Sequence, residues 1–273
     1  MSDALRVTIL GCGSSGGVPR LGGPDGSGFW GACDPANPRN RRSRCSLLVE
    51  RRGEGGATRV LVDTSPDLRE QLLRARVADL DGVLITHDHA DQLHGIDDLR
   101  LVVQHQRRRA EVHTDAGTAE RILGRFSYIF VQAAGSEYPP IANLHTIEPL
   151  RAFAIAGAGG PVPVLAFPQQ HGAVPSLGFR FGAVAYSADV NALDEAAFAA
   201  LDGVECWILD ALRYAPHPTH AHVALALEWI ARVAPKRAVL TNLNYDVDYE
   251  KLRGELPPNV EPAYDGLTIE TGL

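Results

Sequence analysis

Residues 86–92 read Thr-His-Asp-His-Ala-Asp-Gln, and they directly follow the apolar run Gly-Val-Leu-Ile at 82–85. Side chains in extended backbone repeat every second residue, so His87 and His89 point the same way and Asp91 continues the alternation. Imidazole suits a borderline divalent cation such as zinc, and a carboxylate adds an oxygen ligand that also suits manganese. The pattern therefore predicts a metal site where a buried strand ends. The alternative is a polar turn in which the histidines cluster without a ligand.

The composition is that of a globular protein, with 45% hydrophobic and 22% charged residues among 273. The net charge of −7 argues against binding of bulk nucleic acid, which needs a broad basic surface, but it allows a small anionic substrate. The sequence contains neither a signal peptide nor an apolar stretch near the roughly 20 residues of a membrane span, so we expect a cytoplasmic protein with no membrane partner. The four scattered cysteines form no Cys-x-x-Cys pair and suggest no disulfide scaffold.

Strand and helix patterns alternate along the chain. Apolar and β-branched runs predict strands at 7–10, 46–50, 59–62, 82–85, 163–167, 178–181, 183–187, 206–210 and 238–241, with a last short strand near Glu270. Helical spacing predicts helices at 66–76, 95–105, 117–131, 192–201 and 221–233. Both halves start with strands before their helices arrive, so two sheets with helices outside are more natural than one doubly wound sheet. We expect a single hydrolase domain over residues 1–273.

Polar residues stand where several predicted strands stop: Asp63, His171, Asp189 and Asn242 each follow an apolar run. Sheet enzymes assemble their sites from such strand ends. A metal site at residues 87–91 needs at least one remote ligand, and His171 together with Asp189 would complete it.

A glycine-rich loop at 11–20 follows the first strand. Because glycine has no side chain, its backbone amide can approach an anion closely. The basic cluster at 39–44 is either a solvated loop or a source of phosphate steering. We expect the phosphate of a substrate to meet the amides of Gly13–Gly17 and the side chains of Ser14, Ser15, Arg20 and Arg44.

The chain resembles the metallo-β-lactamase superfamily in the order of its motifs: the glycine-rich loop, Asp-Thr at 63–64, Thr-His-x-His-Ala-Asp at 86–91, a lone His171 before Leu-Gly-Phe-Arg, and Tyr-Ser-Ala-Asp at 186–189. Within that superfamily it is similar to the group of ribonuclease Z and the phosphoribosyl cyclic phosphodiesterases. The resemblance runs from Leu10 to about Gly266. It implies an α/β fold, an αββα sandwich of two mixed sheets with outer helices, whose metals lie at one edge and activate water for hydrolysis.

The resemblance also implies roles for particular residues. His87, His89 and His171 would hold a first divalent metal, zinc or manganese, and Asp189 would bridge to a second metal that Asp91 also binds. The superfamily usually has histidines where this chain has Gln92 and Asn242. An amide oxygen is a poorer zinc ligand than imidazole, so we expect one or two metals per chain, with the second site weak, oxygen-rich or empty. Further candidates for that site or for its outer contacts are Gln92, Asn242, His222 and Asp63.

The predicted function is metal-dependent hydrolysis of a small phosphodiester, either a cyclic phosphate or a nucleotide-like molecule. Asp91 would orient or deprotonate the water, and His220 would act as general acid because imidazole titrates near neutral pH. His222 could instead complete the second metal site, or both histidines could simply lie at a helix start. The alternatives are a thioester or lactone hydrolase on the same metal, and a nucleotide- or metal-binding protein with a degraded second site. The oligomeric state is open, and a homodimer is among the expectations.

Overall fold

The computed structural model describes residues 4–272, whose strands form two sheets of seven. The first sheet has the order β14-β1-β2-β3-β4-β5-β6. Its strands are β1 (Ala4–Gly11), β2 (Ser46–Gly53), β3 (Gly56–Val62), β4 (Gly82–Leu84), β5 (Ala110–Thr114), β6 (Ala142–Thr146) and β14 (Thr268–Gly272). The second sheet has the order β13-β12-β11-β10-β9-β8-β7. Its strands are β7 (Phe153–Ile155), β8 (Val162–His171), β9 (Val174–Phe181), β10 (Val184–Ser187), β11 (Cys206–Asp210), β12 (Arg237–Thr241) and β13 (Val260–Pro262).

Each sheet is half antiparallel and half parallel. In the first sheet β14, β1, β2 and β3 pair antiparallel, and β3 through β6 pair parallel. In the second sheet β7 through β10 pair antiparallel, and β10 through β13 pair parallel. The parallel halves bring the carboxyl ends of several strands to one edge of each sheet, which is where a sheet enzyme collects polar side chains.

The helices lie on the outer faces of the sheets. They are α1 (Leu68–Ala75), α2 (Ala90–Leu93), α3 (Leu99–Gln106), α4 (Ala116–Phe130), α5 (Glu195–Ala200), α6 (Val223–Val233) and α7 (Tyr249–Glu255). Apolar residues of α1, α3 and α4 pack on the first sheet, and those of α5, α6 and α7 pack on the second. A third buried cluster, with Val62 from the first sheet and Phe179 from the second, fills the space between the sheets. The layers are therefore helix, sheet, sheet and helix, which confirms the predicted αββα sandwich.

The sequence patterns missed the four strands β5, β6, β7 and β13 and the two helices α2 and α7, and they misplaced the start of other helices. The missed strands have five residues or fewer, and β5 and β6 carry polar side chains at alternate positions, so their apolar signal is weak. The helix predicted at 66–76 begins at Leu68, after Asp67. The helix predicted at 95–105 begins at Leu99, because residues 96–98 form a 3₁₀ turn instead. Within residues 4–272, every helix is too short or too polar to cross a lipid bilayer.

Candidate metal centre

The polar strand ends of the two sheets meet at one edge of the sandwich. The backbone amide of Leu177, in β9, donates a hydrogen bond to the carbonyl of Thr86 at 3.0 Å. This bond ties the loop that carries His87 to the second sheet. It places the end of β4 opposite the end of β8, where His171 is the last residue of the strand.

The three predicted histidines converge at this edge. The rings of His87, His89 and His171 lie edge to face, with centroids 4.5, 5.2 and 5.0 Å apart. One nitrogen from each ring lies within 4.8 Å of the other two. His87 is fully buried, and His89 at the start of α2 is half-buried. Three imidazoles with one nitrogen each aimed at a common point are a donor set for a zinc-like cation.

The hydrogen bonds of His87 and His171 leave the Nε2 atom of each ring free to bind a cation. Nδ1 of His171 lies 2.6 Å from the carbonyl oxygen of Thr219, which can only accept, so Nδ1 carries the proton. Nε2 of His171 is then a lone-pair donor. Nε2 of His87 is buried and has no hydrogen-bond partner. A buried nitrogen without a partner needs an explanation, and a cation between the three rings supplies one.

Burial also keeps the imidazoles of His87 and His171 neutral, which is the form that binds a metal. It lowers the pKa of His87 well below its ordinary value, and the neighbouring histidines lower it further. Burial and the proximity of His220 lower the pKa of His171 to about 4. Near neutral pH both rings are therefore uncharged, so that no proton has to leave before a cation binds.

Asp63 supports His87 from beneath through Thr86. The Asp63 carboxylate is fully buried and accepts bonds from the Thr86 amide at 2.8 Å and the Thr86 hydroxyl at 3.0 Å. The same hydroxyl oxygen lies 3.0 Å from Nδ1 of His87. Because the hydroxyl proton goes to the carboxylate, Nδ1–H of His87 donates to that oxygen. Asp63 thus fixes the ring orientation of His87 through Thr86, the kind of outer contact that aligns a metal-binding imidazole.

Asp189 lies between the histidines and Asn242. Its Oδ2 is 3.3 Å from Nε2 of His87. Two ligands of one tetrahedral zinc with bonds of about 2.0 Å lie about 3.3 Å apart, so the distance allows Asp189 and His87 to bind the same cation. Its Oδ1 accepts a bond of 2.5 Å from the Asn242 amide. Burial, with Asp91 nearby, raises the pKa of Asp189 to about 8, and a bound cation would favour its charged form.

A second group of possible ligands lies beside the first and consists of Asp189, Asp210 and His220, whose ligand atoms lie within 4.8 Å of one another. Nδ1 of His220 is 2.9 Å from Oδ2 of the fully buried Asp210. Burial lowers the pKa of His220, but Asp210, Asp189 and Asp91 outweigh it and raise this pKa to about 9. The pair is therefore a protonated imidazole held by a carboxylate.

The backbone at three of these positions is left-handed. Asp63, Asp189 and Asn242 have φ values of 62°, 50° and 60°. Such backbone is uncommon for residues other than glycine, and it persists where the surrounding structure enforces it. Asp63 comes directly after β3, and Asn242 comes directly after β12. Asp189 is the second residue after β10. The turn aims each side chain across the edge of its sheet.

The remaining candidates for a second metal are less well placed. The Gln92 amide donates to Asp91 at 3.3 Å, and its carbonyl oxygen is buried without a donor. His222 is the residue before α6, and within residues 4–272 it belongs to neither group of possible ligands. The Asn242 amide group occupies Oδ1 of Asp189, the oxygen that a bridging carboxylate would offer to a second metal.

The glycine-rich loop forms a wall next to the centre. Gly13 pairs with Leu243, one residue after Asn242, and Ser14 is buried against Asn244. Nη2 of Arg20 donates to Asn244 Oδ1 at 2.8 Å, and its guanidinium lies 4.2 Å from the Tyr245 ring centre.

The other two predicted phosphate contacts fit less well. Ser15 is exposed at the tip of the loop. Arg44 is held by Asp67, with Nε and Nη2 each 2.7 Å from a carboxylate oxygen. Two nitrogens of Arg44 therefore lie close to a carboxylate, whereas Nη2 of Arg20 is held by the neutral amide of Asn244.

Sequence reasoning missed Asp210 and Asp88. Asp210 ends a predicted strand, so it carried the same signal as Asp189 and was overlooked. Asp88 stands inside the histidine motif, where its carboxylate lies 2.7 Å from Arg121 Nε and 2.8 Å from Arg125 Nη1. Both arginines lie on α4, and no spacing in the sequence links them to residue 88.

A first prediction concerns Thr86. Thr86→Val keeps the shape of the side chain but removes the oxygen between Asp63 and His87, so the zinc affinity should fall about 10- to 100-fold. Competition with a chromophoric chelator measures this affinity. Thr86→Ser keeps the hydroxyl and is the matched control. Equal zinc affinity in Thr86→Val and the wild type would contradict the role given to this contact.

A second prediction concerns the number of metal ions. Because Asn242 takes one oxygen of Asp189, elemental analysis of zinc-loaded protein should give about one equivalent per chain. The double variant Gln92→His with Asn242→His should bring the content towards two, since imidazole is the better zinc ligand. His222→Ala should leave the content unchanged. Two equivalents in the wild type, reduced to one in His222→Ala, would show that His222 binds the second ion.

Comparisons with known proteins identify the family and the fold of the chain. A family model described as the beta-lactamase superfamily domain matches residues 58–241. The solved structure of a diphosphatase from the PhnP family is 30% identical with a TM-score of 0.84, and the match covers 99% of this chain and 98% of that one. Zinc-bound PqqB from Methylobacterium extorquens shares the fold at 18% identity, with a TM-score of 0.71 over 97% of this chain and 99% of that one.

A protein of Porphyromonas gingivalis named octanoyltransferase is 30% identical over 267 residues, 96% of this chain and 51% of that protein. The chain thus spans about half the length of this curated relative. The family model covers well over half of the chain. The two seven-stranded sheets form the αββα sandwich that the sequence motifs predict. The chain belongs to the metallo-β-lactamase superfamily.

Proposed function

We propose that this chain is a metal-dependent phosphodiesterase acting on a small phosphodiester or diphosphate, a cyclic phosphate or nucleotide-like molecule. The observation that carries the proposal is the convergence of the imidazoles of His87, His89 and His171, with Asp189 3.3 Å from His87 and with His220 held by Asp210 beside them. The relative described as a diphosphatase, 30% identical over nearly the whole chain, supports the phosphate class.

His87, His89, His171 and Asp189 would hold the divalent cation. The cation would supply water activation near neutral pH and would neutralise charge on phosphate oxygens. The fit rests on the free Nε2 of His87 and the fixed tautomer of His171. Asp91, half-buried at the start of α2, would orient the attacking water.

His220 would protonate the leaving oxygen. Its Nδ1 is bound by Asp210, which leaves Nε2 to donate a proton. The side chain is 16% exposed, so it is reachable from the open edge of the site and yet held in one orientation. A positioned acid of this kind typically contributes 10²- to 10⁴-fold to the rate. When the bond breaks, the proton passes from His220 to the leaving alkoxide, and Asp210 stays charged.

Arg20 and the amides of the glycine-rich loop would bind the phosphate. The Arg20 guanidinium is oriented by Asn244 and Tyr245 before a substrate arrives. A planar guanidinium presents two parallel donors to a phosphate, so an ordered one binds it with little entropic loss. We do not assign this role to Arg44, whose donors are engaged by Asp67.

A second candidate function is hydrolysis of an acyl thioester on the same metal. The observation that favours it is the 30% identity to the protein named octanoyltransferase. The match covers 51% of that relative, so the acyl transfer in its name can be performed by the part that this chain does not match. The phosphate class is preferred because the diphosphatase matches over 98% of its own length.

A third prediction tests the reaction. Metal-loaded protein should cleave bis-p-nitrophenyl phosphate or a cyclic nucleotide, with added manganese as a second condition, and should leave octanoyl thioesters and lactones intact. His87→Ala should lose this turnover, because the cation loses its most buried ligand. Cleavage of thioesters or lactones without any phosphodiester would identify the second candidate function. Substrate affinity kept in His87→Ala, with no turnover in the wild type, would indicate a binding protein.

A fourth prediction concerns His220. His220→Gln should slow cleavage of an alkyl phosphodiester by about 10²- to 10⁴-fold, because the alkoxide then leaves without a proton. A p-nitrophenyl ester should lose far less, since that leaving group needs no acid. His222→Gln is the matched control and should change neither rate. Equal losses on both esters in His220→Gln would mean that His220 acts in binding and not as the acid.

A further inference from the structure

A cavity lined by arginines lies on the outer face of the first sheet, separate from the metal centre. It measures about 380 Å³, which is within the range of small-molecule sites. The outward side chains of β1, β2 and β3 form its floor, and the end of α1 forms one wall. None of its lining residues takes part in the metal centre. The basic ones are Arg6, Arg52, Arg59, Arg74 and Arg76.

The strand register explains how the arginines come together. Leu5 and Val7 point into the core between the sheets, so Arg6 points outwards. On this outer face Arg6 pairs with Glu50, and Glu50 pairs with Arg59 on the next strand. Arg74 and Arg76 follow from the last turn of α1 and its left-handed end. Five arginines in one hollow are notable in a chain whose net charge is −7.

Two of the five arginines are neutralised by neighbours. Arg59 is paired with Glu50 at 3.1 Å and with Asp79. Arg74 lies 3.3 Å from Asp265. Glu50, the only acidic residue in the lining, is buried, and its carboxylate accepts a hydrogen bond from Nε of Arg59.

The other three arginines have no such partner. Among residues 4–272, Arg6, Arg52 and Arg76 have no carboxylate oxygen within 4.0 Å, although Glu270 stands opposite Arg6 on β14. The Nε of Arg6 is buried and has no acceptor at all. A buried guanidinium nitrogen without an acceptor is costly, and an anion in the cavity would satisfy it.

We propose that this cavity binds a small organic phosphate carrying at least two negative charges. Guanidinium groups match phosphate oxygens in pairs, and three unpaired ones call for a multiply charged ligand. The hydroxyls of Thr8 and Thr268 add hydrogen-bonding groups. Leu10 and Leu48 close the bottom of the hollow, where they are buried in the core beneath α1. The inference does not rest on the reaction at the metal centre.

The test is calorimetric titration of the full chain with inorganic pyrophosphate as the probe. The wild type should bind one equivalent saturably in this cavity, in addition to any pyrophosphate that the metal centre takes up. Arg52→Gln with Arg76→Gln should weaken binding at least tenfold, as loss of a charge-assisted hydrogen bond does. Both residues are exposed, so the variant should fold normally. Arg6→Gln should weaken binding to a similar extent, because the buried Nε loses its place beside the anion.

Two further variants make the outcome decisive. Arg107→Gln with Arg109→Gln removes the same charge at exposed positions outside the cavity and should bind as the wild type does. His87→Ala should also keep the cavity site, since that residue belongs to the metal centre. Absence of saturable binding at millimolar pyrophosphate overturns the proposal. So does a loss confined to His87→Ala, or an equal loss in both double variants, which would show general attraction to positive charge.

Discussion

One hydrogen bond between the sheets sets the geometry on which the site depends. The Leu177 amide binds the Thr86 carbonyl at 3.0 Å and joins the loop after β4 to the second sheet. His87 follows Thr86 in the chain, and His171 ends the strand that pairs with β9. Imidazoles far apart in sequence can share a cation only if the two sheets are held in one relative position. The buried cluster between the sheets and this bond together provide that constraint.

The site is polar and strained, and the rest of the fold compensates for it. Asp63, Asp189 and Asn242 have left-handed backbone, and all three side chains are buried. Backbone of this kind costs of order 1–3 kcal/mol for each residue. Apolar layers on both sides of each sheet hold the strands from which these residues project. The free energy of packing in these layers therefore offsets the unfavourable backbone conformations, as is common at functional sites.

Much of this arrangement could be predicted from the sequence. Apolar runs that end in polar residues located β3, β4, β10 and β12, and the alternation at residues 87–91 picked out two of the three histidines that the fold brings together. The position of His171 after an apolar run marked it as a candidate remote ligand, and the resemblance added the αββα arrangement to the two sheets with outer helices that the patterns predict. The edge strand β6 was not predictable, because its Ala-Asn-Leu-His-Thr sequence has too little apolar pattern. The pairing of Asp88 with two arginines of α4 depends on tertiary contact alone. So does the pairing of Arg44 with Asp67.

Whether a cation is shared by histidines of both sheets is the central claim, and anomalous diffraction at the zinc edge tests it most directly. Crystals of zinc-loaded protein should show one strong peak about 2.0–2.1 Å from Nε2 of His87 and His171, with His89 and Asp189 completing a tetrahedron. A map in which zinc lies elsewhere, or in which the ring nitrogens of His87 and His171 face different sites, would contradict the account.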